Sequence, residues 1–136
     1  MDVNVNQSAE GKTFEFLGVE SINTDFLKTF EFESKNQLIT TKTDEFSAVC
    51  PFSGLPDIAK LVIIYKPTAG KCIELKSLKY YMTSFRNVGL YQEGCTKRIF
   101  DDLSKLLETK ELYVKTVYNI RGGYLTTCEE GNLTFA

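Results

Sequence analysis

The chain has 136 residues, with 16 basic and 18 acidic side chains, a formal net charge of −2 and no histidine. At 43% hydrophobic and 25% charged it has the make-up of one globular domain, which excludes a disordered or fibrous chain. The missing histidine excludes a Ser-His-Asp or Cys-His catalytic pair and any histidine-bearing zinc site, and the near-neutral balance of charge argues against a broad basic face for nucleic acid.

In chain order, residues 1–12 are polar and lack the apolar stretch of a secretory signal, which predicts a flexible leader ahead of a single domain over 13–136. Gln37–Thr43 has strand composition, with Ile and Thr on a period of two. Lys60–Tyr65 is a β-branched strand containing the longest apolar run, Leu61–Tyr65. That run falls far short of the roughly 20 residues a membrane span needs. Pro67 to Gly70 turn the chain, and Lys71–Leu75 reads as the hairpin partner of Lys60–Tyr65. The period then changes. Leu78, Tyr81, Met82 and Phe85 predict a helix with Ser77 as its cap, and Cys95, Ile99, Leu103 and Leu106 predict a second one. Glu111–Asn119 alternates as a strand, Gly122-Gly123 turn, and Tyr124–Cys128 form the last strand. The expected architecture is α+β, a ββααββ subunit with a four-stranded antiparallel sheet and both helices on one face. Its uncovered face is apolar enough to predict burial between copies in a symmetric ring.

The four cysteines, Cys50, Cys72, Cys95 and Cys128, lie 22, 23 and 33 positions apart, with no CxxC pair. This predicts no metal site and four free thiols in a reducing, cytoplasmic compartment.

Four segments carry candidate chemistry. In Cys50-Pro-Phe-Ser-Gly-Leu-Pro-Asp57, two prolines and a glycine frame a loop cysteine, and a carboxylate follows seven residues later. A thiolate there could add to an electrophilic carbon, with Asp57 giving a proton to the heteroatom; a buried structural cysteine is the plain alternative. Glu74-Leu-Lys-Ser-Leu-Lys-Tyr-Tyr81 puts Lys76 and Lys79 at a strand-to-helix junction. Two cations and a helix N-terminus suit phosphate, although both could be ordinary solvated lysines. Tyr91-Gln92-Glu93 precedes the second helix, where a glutamate could accept two N–H donors of a heterocycle edge or simply complement the helix dipole. Arg121 stands before the Gly122-Gly123 turn as an anion contact or a surface arginine.

The order and spacing of these segments resemble the NADPH-dependent nitrile reductases of queuosine biosynthesis, of QueF type, in their short single-domain form. The residues that carry the resemblance run from about Gln37 to Cys128. They are the whole of Glu74–Tyr81, the Cys50-to-Asp57 spacing, Ser84-Phe-Arg-Asn87, Glu93 ahead of Cys95-Thr-Lys-Arg98, and Arg121-Gly-Gly. The resemblance implies a tunnelling fold whose subunits form two stacked pentameric rings, with sites between subunits. It implies conversion of 7-cyano-7-deazaguanine to 7-aminomethyl-7-deazaguanine: Cys50 forms a thioimide, Asp57 protonates its nitrogen, and two NADPH supply hydride. Glu93, with Tyr91, Gln92 and Glu74, would hold the deazapurine, and Lys76, Lys79 and Arg121 would hold NADPH phosphates. Departures from the family pattern are Gln92 and Val88 where histidines are usual, Gly94 after the glutamate, and Ile120 in place of proline. Two rival readings are an archaeosine-synthase-type amidine-forming enzyme, which adds ammonia to the nitrile in tRNA or another nucleic acid, and a ring protein that binds deazaguanine without catalysis.

Overall fold

A computed structural model describes residues 9–136; the expected leader is exposed over 9–12, and its first eight residues lie outside the described part. Six strands and two helices follow in the order β1 (Thr29–Glu31), β2 (Ile39–Val49), β3 (Pro56–Tyr65), β4 (Lys71–Ile73), α1 (Leu75–Thr83), α2 (Gln92–Leu107), β5 (Leu112–Tyr118) and β6 (Thr127–Gly131). The main sheet is antiparallel with order β2-β3-β5-β6, and β1 and β4 form a separate two-stranded ribbon. No helix among the described residues is long and apolar enough to cross a membrane.

Period-two burial makes β3 the centre of the fold. Asp57, Ala59, Leu61, Ile63 and Tyr65 are buried, while the residues between them are exposed or half-buried. The buried row faces the helices. From α1, Leu78 and Tyr81 are buried, and from α2, Cys95, Ile99, Leu103 and Leu107 at intervals of four. Phe85, just past α1, is fully buried with its ring 5.3 Å from both Phe46 and Tyr81. Truncating such a side chain to alanine costs about 3–5 kcal/mol.

The structure corrects four expectations. Lys71–Ile73 does not pair with β3, because β2 and β5 take both of its edges; β4 pairs with Thr29–Glu31 instead. The first hairpin is therefore β2–β3, and β2 runs on to Val49. Glu74, not Ser77, caps α1. Its carboxylate accepts the N–H groups of Lys76 at 2.8 Å and Ser77 at 3.1 Å, while the Ser77 hydroxyl accepts the Lys28 N–H at 3.0 Å. The last strand begins at Thr127 rather than Tyr124, because a tight Arg121–Tyr124 turn ends in three residues that do not pair with β5 in register.

Three ties bring distant segments to one end of the sheet. The Val49 N–H donates to Val88 O at 3.0 Å and the Leu90 N–H to Val49 O at 3.2 Å, which sets the start of α2 beside Cys50. The Asn119 N–H donates to Ile58 O at 2.9 Å, bringing the β5–β6 turn over the start of β3. The Phe14 N–H donates to Ser53 O at 2.8 Å, holding the β2–β3 loop from outside.

Candidate active site

Cys50 follows the last residue of β2, and Asp57 is the second residue of β3. The chain between them doubles back tightly. The Cys50 N–H donates to Leu55 O and its carbonyl accepts the Gly54 N–H, both at 2.9 Å. Gly54 has φ +71°, and a Cβ there would lie 2.4 Å from Phe14 O, so this turn requires glycine. Asp57 belongs to the buried row of β3 and is 3% exposed. A carboxylate so far from water needs a partner, and it has one: Arg121 Nη1 donates to Asp57 Oδ1.

Arg121 reaches that position because the β5–β6 turn is rigid. Its N–H donates to Tyr124 O at 3.0 Å, the Tyr124 N–H returns to Arg121 O at 2.9 Å, and Gly122 and Gly123 take φ +57° and +87°. Positive φ at both central positions is the hairpin geometry that matches strand twist.

Cys50, Asp57, Tyr91, Gln92, Glu93 and Arg121 line one cavity of about 370 Å³. That volume is near the lower end of ligand sites, roughly 300–1,000 Å³, and suits a small heterocycle better than a dinucleotide. Phe52, Tyr124 and Thr126 line it too. Phe52 and Tyr124 are 71% and 77% exposed, too open for core rings, and Phe52 meets Tyr91 edge-on at 5.9 Å. The sequence reading missed Phe52, Ser53, Tyr124 and Thr126. Phe52 and Ser53 lay inside the segment already singled out, whereas Tyr124 and Thr126 sat in a stretch read as strand.

The electrostatics single out Cys50 among the four free cysteines. Hydrogen bonds from the Ser53 side chain and backbone, and more weakly from Phe52 and Arg121, lower its thiol to about 7 against a small desolvation penalty. Burial pushes Cys95 the other way, to about 12, and also raises Cys128.

Three expected site residues lie elsewhere. Glu74, Lys76 and Lys79 do not line the Cys50 cavity, and within one chain Arg121 does not join the two lysines, because Asp57 holds it. Glu74 caps α1 and borders an apolar hollow of about 530 Å³ with Tyr65 and Ile39. Its carboxylate also closes the helix amides to a phosphate. What remains for a dinucleotide is a row of cations. Lys76 Nζ sits 5.9 Å from the Tyr80 ring centroid, Lys79 Nζ lies 3.2 Å from Glu45, and Lys79 and Arg86 border a hollow of about 120 Å³. These side chains fit the phosphates of NADPH as exposed point charges. No three His, Cys, Asp or Glu residues cluster as metal ligands among the described residues.

Comparison with known proteins agrees with this geometry. A family model described as QueF-like protein matches residues 56–133. The chain is 58% identical over 125 residues to the NADPH-dependent 7-cyano-7-deazaguanine reductase of Thermotoga maritima, covering 92% of this chain and 91% of that protein. It is 50% identical over 117 residues to the enzyme of the same name from Caldicellulosiruptor bescii, covering 85% and 88%. A crystal structure of an apo archaeosine synthase of QueF-like type matches with a TM-score of 0.63 over 74% of this chain and 97% of that one, at 19% identity. At that identity the likeness establishes the fold alone, the α+β tunnelling fold expected from the sequence.

Proposed function

The chain belongs to the QueF-like family, and on that membership we propose that it reduces 7-cyano-7-deazaguanine to 7-aminomethyl-7-deazaguanine with NADPH, through a thioimide on Cys50, in queuosine biosynthesis. The observation that carries the reading is the single cavity that Cys50 shares with Asp57 and Glu93, and the lowered Cys50 thiol supports it.

Lowering the Cys50 thiol enriches the thiolate at neutral pH, and the thiolate is the form that attacks. As the S–C bond forms, the C≡N π pair moves to nitrogen, which takes a proton. Asp57 is the residue to relay it: its carboxylate takes the proton that the Cys50 thiol gives up and passes it to the nitrogen, since Gln92 occupies the place where the family resemblance sets a histidine and an amide cannot exchange a proton near neutrality. Glu93, at the start of α2, accepts the N–H donors of the pyrimidine edge. Phe52, Tyr91 and Tyr124 offer exposed rings for a flat heterocycle to pack on. When bound, NADPH supplies the two hydrides. Lys76 and Lys79 hold its phosphates, and Arg121 serves the Cys50–Asp57 pair instead of the cofactor.

The same reading includes assembly into stacked rings. Its support is the separation of Lys76 and Lys79 from the Cys50 cavity, the two open edges β2 and β6, and the exposure of Ile58, Ile120 and Leu125. The four free thiols support a reducing, cytoplasmic setting. The test mixes protein with 7-cyano-7-deazaguanine and follows intact mass and NADPH absorbance together. A covalent adduct consumed with NADPH oxidation is the expected result. An adduct that resists NADPH but is discharged by ammonium replaces reduction with amidine formation, and no adduct at all removes the catalytic reading.

A further inference from the structure

Arg86 lies just past the end of α1 and borders the hollow of about 120 Å³ with Glu45, Lys79, Met82 and Thr83. No step of the proposed reduction uses it. Its backbone is fixed. The Arg86 N–H donates to Thr83 O at 3.1 Å, and the residue stands between Phe85 and Val88, both fully buried and joined by the Val88 N–H to Phe85 O bond at 2.9 Å. Its guanidinium is unspent. The carbonyls at the end of α1 are already taken: Lys79 O accepts the Thr83 hydroxyl at 2.7 Å, Tyr80 O and Tyr81 O accept the Ser84 N–H, and Met82 O accepts the Phe85 N–H. Among the described residues no carboxylate pairs with Arg86.

The acid that lines the hollow is committed elsewhere. β2 shifts its register with β3 between Thr43 and Phe46, and Glu45 in that bulge meets Lys79 Nζ at 3.2 Å. Lys79 and Glu45 offset one another, so the charge left over in the hollow is that of Arg86. An unpaired guanidinium presents a planar fork of N–H donors that matches phosphate oxygens. A space of about 120 Å³ is far below the roughly 300 Å³ at which heterocycle sites begin, so it takes one terminal group. In NADPH that group is the 2′-phosphate, a monoester whose second proton leaves at about pH 6, so that it carries close to two charges at neutrality. NADH lacks it, and the pyrophosphate of both coenzymes is internal. We propose that Arg86 receives the 2′-phosphate of NADPH in this hollow and thereby sets a preference for NADPH over NADH. Lys76, in the first turn of α1, is left to the pyrophosphate.

The inference rests on the reductase reading, and its test separates the two. Binding of NADPH and of NADH to the full chain is followed by the fluorescence of each coenzyme at low salt, with no nitrile present. Wild type should bind NADPH about fivefold or more tightly than NADH. Arg86→Gln should weaken NADPH about fivefold, the upper end for an exposed ion pair, and leave NADH within about twofold, so the preference collapses. Arg86→Lys, which keeps the charge without the fork, should fall between the two. Equal affinities for both coenzymes in wild type overturn the role of Arg86 and leave NADPH reduction standing. So does an Arg86→Gln variant that loses NADPH and NADH alike. A wild type that binds neither coenzyme overturns both readings.

Discussion

The Cys50 cavity and the lysine face of α1 differ in how far one chain completes them. At the cavity, Asp57 is 3% exposed and held by Arg121, the Cys50 loop is bonded to itself and to Phe14, and the start of α2 is tied to the end of β2. Asp57 there has lost water and has had it replaced by a fixed partner, which is how a site acquires reactivity before substrate arrives. At the lysine face, the side chains of Lys79 on α1 and Glu45 on β2 are 70% and 74% exposed, and Lys76 leans on a half-exposed tyrosine. Charges in water attract an anion without shaping it. On the proposed reading the first region changes a bond and the second gathers a ligand, so substitutions should cost far more at the first.

The sharpest way to break that contrast is at the sulfur. Cys50→Ala should abolish the covalent adduct with 7-cyano-7-deazaguanine entirely, as read by intact mass, with the far-UV spectrum unchanged, because Cys50 is not part of the hydrophobic core. An adduct that persists would move the chemistry to another thiol. Asp57→Asn comes next: it keeps the volume, removes the transferable proton, and should slow adduct formation by about 10²–10⁴-fold. Rates within threefold of wild type would strip Asp57 of its role.

The pH profile sharpens the comparison further. Because the thiolate is the reactive form and Cys50 is lowered to about 7, adduct formation should rise about tenfold per pH unit below 7 and level off above it. The sign follows from deprotonation creating the nucleophile. A profile still climbing through pH 8.5 would mean an ordinary thiol.

The regions also differed in how readable they were in the sequence. The stripe Leu78, Tyr81, Phe85 and the stripe Cys95, Ile99, Leu103 gave the helices their buried faces. The spacing from Cys50 to Asp57 was legible because both ends of one hairpin loop are local. Arg121 could not be placed, since its partner is 64 positions away and only the β3–β5 register brings them together. The ribbon partner of β4 was invisible for a similar reason: Thr29–Glu31 is three residues long with no buried face to give it a period. The capping role of Glu74 was hidden because a glutamate before a helix carries the same signature whether it meets a ligand or caps the first turn.

The smallest expected effects lie on α1, and they test whether the lysine face is open charge. Lys79→Ala should weaken NADPH binding about two- to fivefold at low salt, the scale of a solvent-exposed ion pair, and should leave the Cys50 adduct untouched. Glu45 is the diagnostic neighbour. Its carboxylate lies 3.2 Å from Lys79 Nζ, so it competes with any phosphate for that ammonium. Glu45→Gln removes the competitor while keeping size and hydrogen-bonding capacity, and should tighten NADPH binding by up to about twofold at low salt. The gain should disappear as salt rises, because screening weakens both the competitor and the ligand. Weaker binding in Glu45→Gln, measured by fluorescence titration, would show instead that the Lys79–Glu45 pair is needed as a unit, and the lysine face would then be a shaped site like the one around Cys50.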